Sequence, residues 1–303
     1  HNNTLRAEVA AGFAVSAHAS GSIGFAENRP GCASCHGTAG FIEFLETGEA
    51  PGPYSGDNTI SCNTCHSNHR TFDFENDGPD FALRNPDPTQ LVLAPSVTLD
   101  FEDASNNCIS CHQPRDSYPI PALNADGTYE VTSFRFGPHY GPQSTMLQGI
   151  LGAEIPGSEA YPAPGTAAHR TGASCVSCHM GPSDDPEIGG HSWTPIEANC
   201  IECHQAVPGE ADGFTQDMAT LLALLQQVEG VDPDTGDPIL GIIQPGSDTD
   251  ANEGIFPDVA AMAAWNYRSA QQDQSRGIHN PEYTKALLKN SIQAVEDLLQ
   301  SQD

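Results

Sequence analysis

The sequence predicts a mainly α chain with extensive irregular loops, on three observations. Its 303 residues include 29 glycines and 24 prolines, spread so that regular structure is repeatedly interrupted. Apolar residues recur at helical spacing mainly beyond residue 212. All ten cysteines fall in repeats of Cys-x-x-Cys-His.

Five copies occur: Cys32-Ala-Ser-Cys35-His36, Cys62-Asn-Thr-Cys65-His66, Cys108-Ile-Ser-Cys111-His112, Cys175-Val-Ser-Cys178-His179 and Cys200-Ile-Glu-Cys203-His204. This spacing is the attachment signal for c-type haem. Two thiols add across the porphyrin vinyl groups, and the adjacent imidazole ligates the iron. Disulfides and zinc knuckles are the alternatives. Cysteines three positions apart rarely staple separate elements, and neither alternative explains a histidine after every second cysteine. Five covalently attached haems c are therefore expected, with the fold organised around their stack. At 38% hydrophobic and 7% aromatic residues, the chain relies on apolar macrocycles for much of its core.

Two regions follow, a pentahaem-binding region over 1–211 and a C-terminal helical region over 212–303. Residues 1–31 precede the first motif, and the small-residue stretch Ala10 to Ile23 is expected to be partly helical. Residues 32–120 carry three motifs linked by loops such as Asn85-Pro-Asp-Pro. Between His112 and Cys175 lies a motif-free stretch with a strand-like segment, Thr128–Phe136. Residues 175–204 carry the last two motifs. Phe214, Met218, Leu221, Leu222, Leu225 and Val228 then mark an amphipathic helix over about 212–229. An acidic loop fills 230–256. A second helix starts near Pro257 and ends before Gly277. Asn280 caps a third with Pro281 in its first position, running to about Gln300 and closing a helical hairpin. The apolar face Leu287, Leu288, Ile292, Val295 and Leu299 packs on the other helices or in a dimer or filament contact.

Forty acidic against eleven basic residues give a formal charge of −29. Nucleic acid and anionic lipid are poor partners for such a surface. Solubility is one reading, and steering of basic redox partners is the other. No apolar run reaches membrane-spanning length. The chain opens at His1-Asn-Asn, as expected of a processed, exported protein. Haem attachment outside the cytoplasm points to the periplasm, cell surface or extracellular space.

Each iron has a second axial position. Outside the motifs stand His1, His18, His69, His139, His169, His191 and His279, enough for bis-histidine ligation throughout. Saturated low-spin iron suits electron transfer, whereas an open position signals substrate chemistry. His69, three residues after His66, cannot reach the far face of its own haem and would serve a neighbour. His139 is framed by Pro138 and Pro142. His1 is the weakest candidate, because termini fray. Met146, Met180, Met218 and Met262 are lesser alternatives.

Residues 169–300 resemble the pentahaem cytochrome c nitrite reductases and their hydroxylamine-oxidoreductase relatives. The resembling residues are Ala173-Ser-Cys-Val-Ser-Cys-His-Met180, His191, Cys200-Ile-Glu-Cys-His204, Trp265-Asn-Tyr-Arg268 and Gly277-Ile-His-Asn-Pro-Glu282. The motif rhythm is also similar: first cysteines at 32, 62, 108, 175 and 200 give short, medium, long and short intervals. The resemblance implies His18 as second ligand to the third haem, His191 to the second, His279 to the fourth and His169 to the fifth. It also implies a catalytic first haem, bound in the reductases through Cys-x-x-Cys-Lys. This chain departs there: its first motif ends in His36, and its two lysines, Lys285 and Lys289, lie on the last helix. Tyr118 and Arg29 are candidates for that family's active-site tyrosine and arginine, with packing and surface roles as alternatives. His139 is expected to close the first haem, with His69 and His1 as alternatives, donated in one version to a neighbouring subunit.

Asp232-Pro-Asp234-Thr-Gly-Asp237 and Asp248-Thr-Asp250-Ala-Asn252 alternate oxygen ligands as calcium loops do. Neither completes the pattern, and solvated acidic loops are the preferred reading over calcium. The expected function is electron transfer to redox partner proteins or extracellular acceptors, with self-association into a dimer or filament as an extension. The alternative is a compact reductase of small nitrogen or sulfur oxyanions at an open first haem.

Overall fold

The computed structural model describes all residues except 1–2, 21–25, 55–57, 74, 78–79 and 303. His1 and Ile23 therefore lie outside the described residues. Helices hold 38% of the chain, the largest regular share, so the mainly α description stands. The chain divides into two compact units, neither continuous in sequence. The first comprises His1–Thr89, Thr98–Cys111 and Ala173–Val207; the second comprises Gln90–Val97, His112–Gly172 and Pro208–Asp303. The motif-free stretch after His112 thus folds with the C-terminal helices.

In the first unit, helix α1 (Asn3–Val15) packs against the turn Gly190–Ser192. Helix α2 (Thr38–Thr47) follows the first motif directly and lies on it. A Cβ at Gly40 would fall 2.5 Å from the Ala33 Cβ, so only glycine permits this approach. Gly48 ends α2 in the left-handed conformation (φ 83°), its N–H bonding the Phe44 carbonyl. The motifs form single helical turns: Ala33–His36, Cys62–Cys65, Asn106–Ile109, Cys175–His179 and Glu197–Ile201. Serines start two of them: the Ser61 amide donates to Thr64 Oγ1 (3.0 Å) and the Ser174 amide to Ser177 Oγ (2.7 Å).

The second unit has a conventional core. Helices α3 (Phe214–Leu225), α4 (Asp258–Asp273) and α5 (Pro281–Gln302) pack on one another. Leu221, Leu225, Trp265, Leu288 and Val295 are buried between them. The α5 face expected to need a partner finds one in the chain itself, since Ile292 and Leu299 also pack on this cluster. The α5 cap is as read from the sequence: Asn280 Oδ1 accepts the Tyr283 amide at 3.1 Å.

The stretch 230–256 is more ordered than the acidic loop expected. Strands β1 (Thr128–Val131), β2 (Glu229–Val231), β3 (Pro238–Leu240) and β4 (Gly254–Pro257) form an antiparallel sheet in the order β1-β4-β2-β3. Asp232 makes the β2–β3 turn, its Oδ1 accepting the amides of Asp234 (2.8 Å) and Thr235 (2.9 Å). The strand expected over Thr128–Phe136 ends at Val131, and Phe136 is buried in the core instead. Among the described residues no helix is long and apolar enough to cross a membrane.

Candidate haem-binding site

None of the ten cysteines is paired in a disulfide. In the first, second and fifth motifs the histidine amide closes the turn onto the first cysteine's carbonyl, at 3.0, 2.9 and 2.8 Å. One helical turn therefore delivers two thiols and an imidazole together, as a covalently held porphyrin requires.

In three motifs the imidazole is anchored through Nδ1. His66 Nδ1 meets the Phe81 carbonyl at 2.9 Å, His179 Nδ1 the Trp193 carbonyl at 2.8 Å, and His112 Nδ1 the Gln143 Oε1 at 3.2 Å. An acceptor at Nδ1 fixes the proton there and makes Nε2 the ligating nitrogen. Arg84 holds the second motif's backbone, donating to the Asn63 and His66 carbonyls, both at 2.9 Å. A cavity of about 420 Å³ next to it is lined by Phe81, Leu83, Pro86 and Pro88 and by the charged Arg70, Asp80, Asp100, Glu102 and Asp103.

Thiols of different motifs meet in the first unit. Cys35 Sγ lies 3.9 Å from the Ser110 carbonyl of the third motif, and Cys35 couples electrostatically to Cys111 as Cys108 does to Cys175. Cys65 lies within electrostatic range of Cys108 and Cys111, and Cys178 of Cys175 and Cys200. The third motif is thus next to the first, second and fourth, and the fourth is next to the fifth. Ser174 Oγ donates to Asp103 Oδ2 (2.5 Å) and the Val176 amide to Ser105 Oγ (3.1 Å), which fastens the fourth motif to the third. The Cys35 partner and burial push the Cys111 thiol well up; the Cys175 partner and burial do the same to Cys108. Burial raises Cys65 and Cys178.

The histidines outside the motifs are half-buried where described. The His191 and His66 ring centres lie 6.1 Å apart with planes 28° from parallel. Two imidazoles on opposite sides of one metal, each bonded at about 2 Å, place their centres roughly 6 Å apart. His66 and His191 are thus spaced as two imidazoles that would hold one iron between them. Burial, then the neighbouring His66, lowers the His191 pKa, which favours the neutral imidazole that ligates metal. His18 packs edge-on against Trp193 at 4.4 Å. His169 Nδ1 is bonded to the Ile278 carbonyl, and His279 Nδ1 to Asp273 Oδ1 at 2.6 Å. His69 Nδ1 lies 3.6 Å from Asp80 Oδ2. His139 adopts a left-handed backbone (φ 65°) with its ring against Tyr140. His36 is half-buried and His204 exposed.

Sequence reasoning missed Trp193. Its ring touches His18, His191 (5.4 Å) and Phe13 (6.1 Å), while its carbonyl anchors His179. It holds a left-handed φ of 57°, rare for a bulky residue. The only hint was its place in Gly189-Gly-His-Ser-Trp193. Tyr118, a candidate for substrate chemistry, packs edge-on against Phe136 at 5.9 Å in the core. Arg29 is exposed, and its carbonyl accepts the Cys32 and Ala33 amides that start the first motif turn.

No protein-family model matches the chain, and no curated protein matches it. Two solved structures are similar to it. The outer cell wall cytochrome OcwA matches 94% of this chain and 49% of its own, at 17% identity and a TM-score of 0.52. An undecahaem cytochrome from the S-layer of Carboxydothermus ferrireducens matches 88% of this chain and 38% of its own, at 18% identity and a TM-score of 0.47. The chain spans about half the length of the first and less of the second. At such identity the likeness is one of fold. The fold is that of the multihaem c-type cytochromes, and it agrees with the Cys-x-x-Cys-His motifs of the sequence.

Proposed function

We propose that this chain is an electron-transfer protein carrying five haems c, one per motif, each iron saturated by two histidines. The observation that carries this reading is the meeting of thiols from different motifs around the third. Haems attached to adjacent thiols lie edge to edge, and electron tunnelling falls steeply with edge separation. The proximities suggest a conduction path that branches at the third haem, toward the first, the second and, through the fourth, the fifth.

His66 and His191 are the proposed ligand pair of the second haem, as the nitrite-reductase resemblance implies and their 6.1 Å spacing supports. His18, His69, His139, His169 and His279 are the proposed pool for the remaining irons. The outer-cell-wall and S-layer names of the similar structures favour a cell-surface or extracellular site of action. The −29 charge favours basic redox partners.

EPR of the oxidised holoprotein, before and after nitrite, tests this function. Low-spin signals only, unchanged by nitrite, are expected, with five irons per chain. His191→Ala should convert one haem to high spin. A high-spin signal in the native protein that nitrite converts would instead make the chain a compact reductase, with its first haem open.

A further inference from the structure

We propose that Asp273 is a positioning and tuning residue that gives the iron ligated by His279 a reduction potential lower than its histidine ligation alone would set. This inference rests on the reading of His279 as an iron ligand and extends it to the potential of one particular haem.

The geometry is local to the turn between α4 and α5. Asp273 ends α4, and its side chain is 1% exposed. Its Oδ1 meets His279 Nδ1 at 2.6 Å, and its Oδ2 accepts the Ser275 hydroxyl. The Ser275 oxygen in turn accepts the His279 amide at 3.2 Å. Gln274, Arg276 and Gly277 all take left-handed backbones (φ 59°, 56° and 82°) to make this return. Two of the three are not glycine, so the turn is held by its contacts rather than by intrinsic preference.

The same turn supplies a contrast. The Ile278 carbonyl, one residue before His279, takes the His169 Nδ1. His66 and His179 likewise meet backbone carbonyls, and His112 meets a side-chain amide. Those acceptors are neutral dipoles. The acceptor at His279 is a buried carboxylate whose one described ion pair is with that imidazole. A carboxylate drawing on Nδ1–H makes Nε2 a stronger donor, and a more basic ligand stabilises the ferric over the ferrous state. Burial keeps water from screening the effect.

The test is spectroelectrochemistry and EPR of the holoprotein carrying Asp273→Asn, which retains an acceptor oxygen but no charge. All haems should stay low-spin while one potential rises by about tenfold in its reduction equilibrium, about 59 mV for one electron. The EPR g-values of one haem should move with it. Unchanged potentials and g-values would overturn the proposal. Should Asp273→Asn fail to fold, Ser275→Ala keeps the carboxylate and removes a competing donor. The same potential should then fall, and no change there also overturns the proposal. His279→Ala separates the two ideas: if no haem changes spin state, the assignment of His279 as ligand is what fails.

Discussion

The two units of this chain bury different things. In the second, Trp265, Phe256, Leu221, Leu225, Ile242 and Ile243 sit at 1% exposure or less among many apolar neighbours. In the first, the buried apolar residues among those described are fewer, Phe41, Leu99, Phe101, Ile109 and Ile196 beside the small Ala26, Ala33, Ala50 and Ala82. Partly buried cysteines and half-buried imidazoles lie beside them. Burial of an aromatic or branched side chain contributes about 1.5–3 kcal/mol, and alanine much less. A core with fewer large apolar side chains is a smaller source of stability unless flat apolar groups complete it. The second unit is self-sufficient; the first is the one that the proposed haems would complete.

The largest expected effect breaks that comparison directly. Replacing all ten motif cysteines by alanine leaves the second unit's core untouched. Amide hydrogen exchange should then show residues 26–89, 98–111 and 173–207 losing protection, while 214–302 keep it. Equal protection in both units would mean that the first has an adequate core of its own.

A smaller perturbation runs the other way. Leu221 is fully buried against the α4–α5 pair, and Leu221→Ala should destabilise the second unit by about 2–5 kcal/mol through lost burial and the cavity left behind. Thermal unfolding followed by tryptophan fluorescence reads the loss. The Soret band of the haem proposed between His66 and His191 should not change, because both histidines belong to the first unit. A changed Soret band at temperatures where the protein stays folded would show that the units are not energetically separate.

The same contrast explains what the sequence made legible. The α3 and α5 helices announce themselves through Leu221, Leu225, Leu288 and Val295 at helical spacing and through the Asn280-Pro281 start. Local side-chain chemistry suffices there. The sheet did not announce itself, because β2, β3 and β4 are three or four residues long and pair across a stretch dominated by Asp and Gly. Their stability comes from Phe256 and Val131 packing into a core that only tertiary structure assembles. The motif cysteines were legible because covalent chemistry fixes their spacing. The anchors of their histidines were not: Trp193, Gln143 and the Phe81 carbonyl lie 14 to 31 residues away, and any residue supplies a carbonyl. The resemblance singled out Trp265-Asn-Tyr-Arg268, and these residues do structural work. Trp265 Nε1 donates to the Leu151 carbonyl (2.9 Å), and Asn266 clasps Ala153 by both its amide and carbonyl (2.8 Å each).

The smallest effect sharpens the comparison at one titratable group of that segment. Tyr267 is 3% exposed, and its hydroxyl donates to the Asp248 carbonyl at 3.1 Å. Burial, with the nearby Asp248 carboxylate adding to it, pushes its pKa up to about 12. An unfolded tyrosine titrates near 10. Between these values the unfolded chain gives up the proton while the folded one keeps it, so stability falls as pH rises from about 10 to about 12. Below pH 10 the contribution is constant. Each unit of difference corresponds to about 1.4 kcal/mol. Tyr267→Phe should therefore cost about 0.5–1.5 kcal/mol at neutral pH, for the lost hydrogen bond, and reduce the alkaline decline. Hydrogen exchange confined to residues 258–302 reads this without interference from the cofactor-built unit. An alkaline decline of equal steepness in the variant would assign it to other groups, Tyr283 first, whose phenol burial also raises.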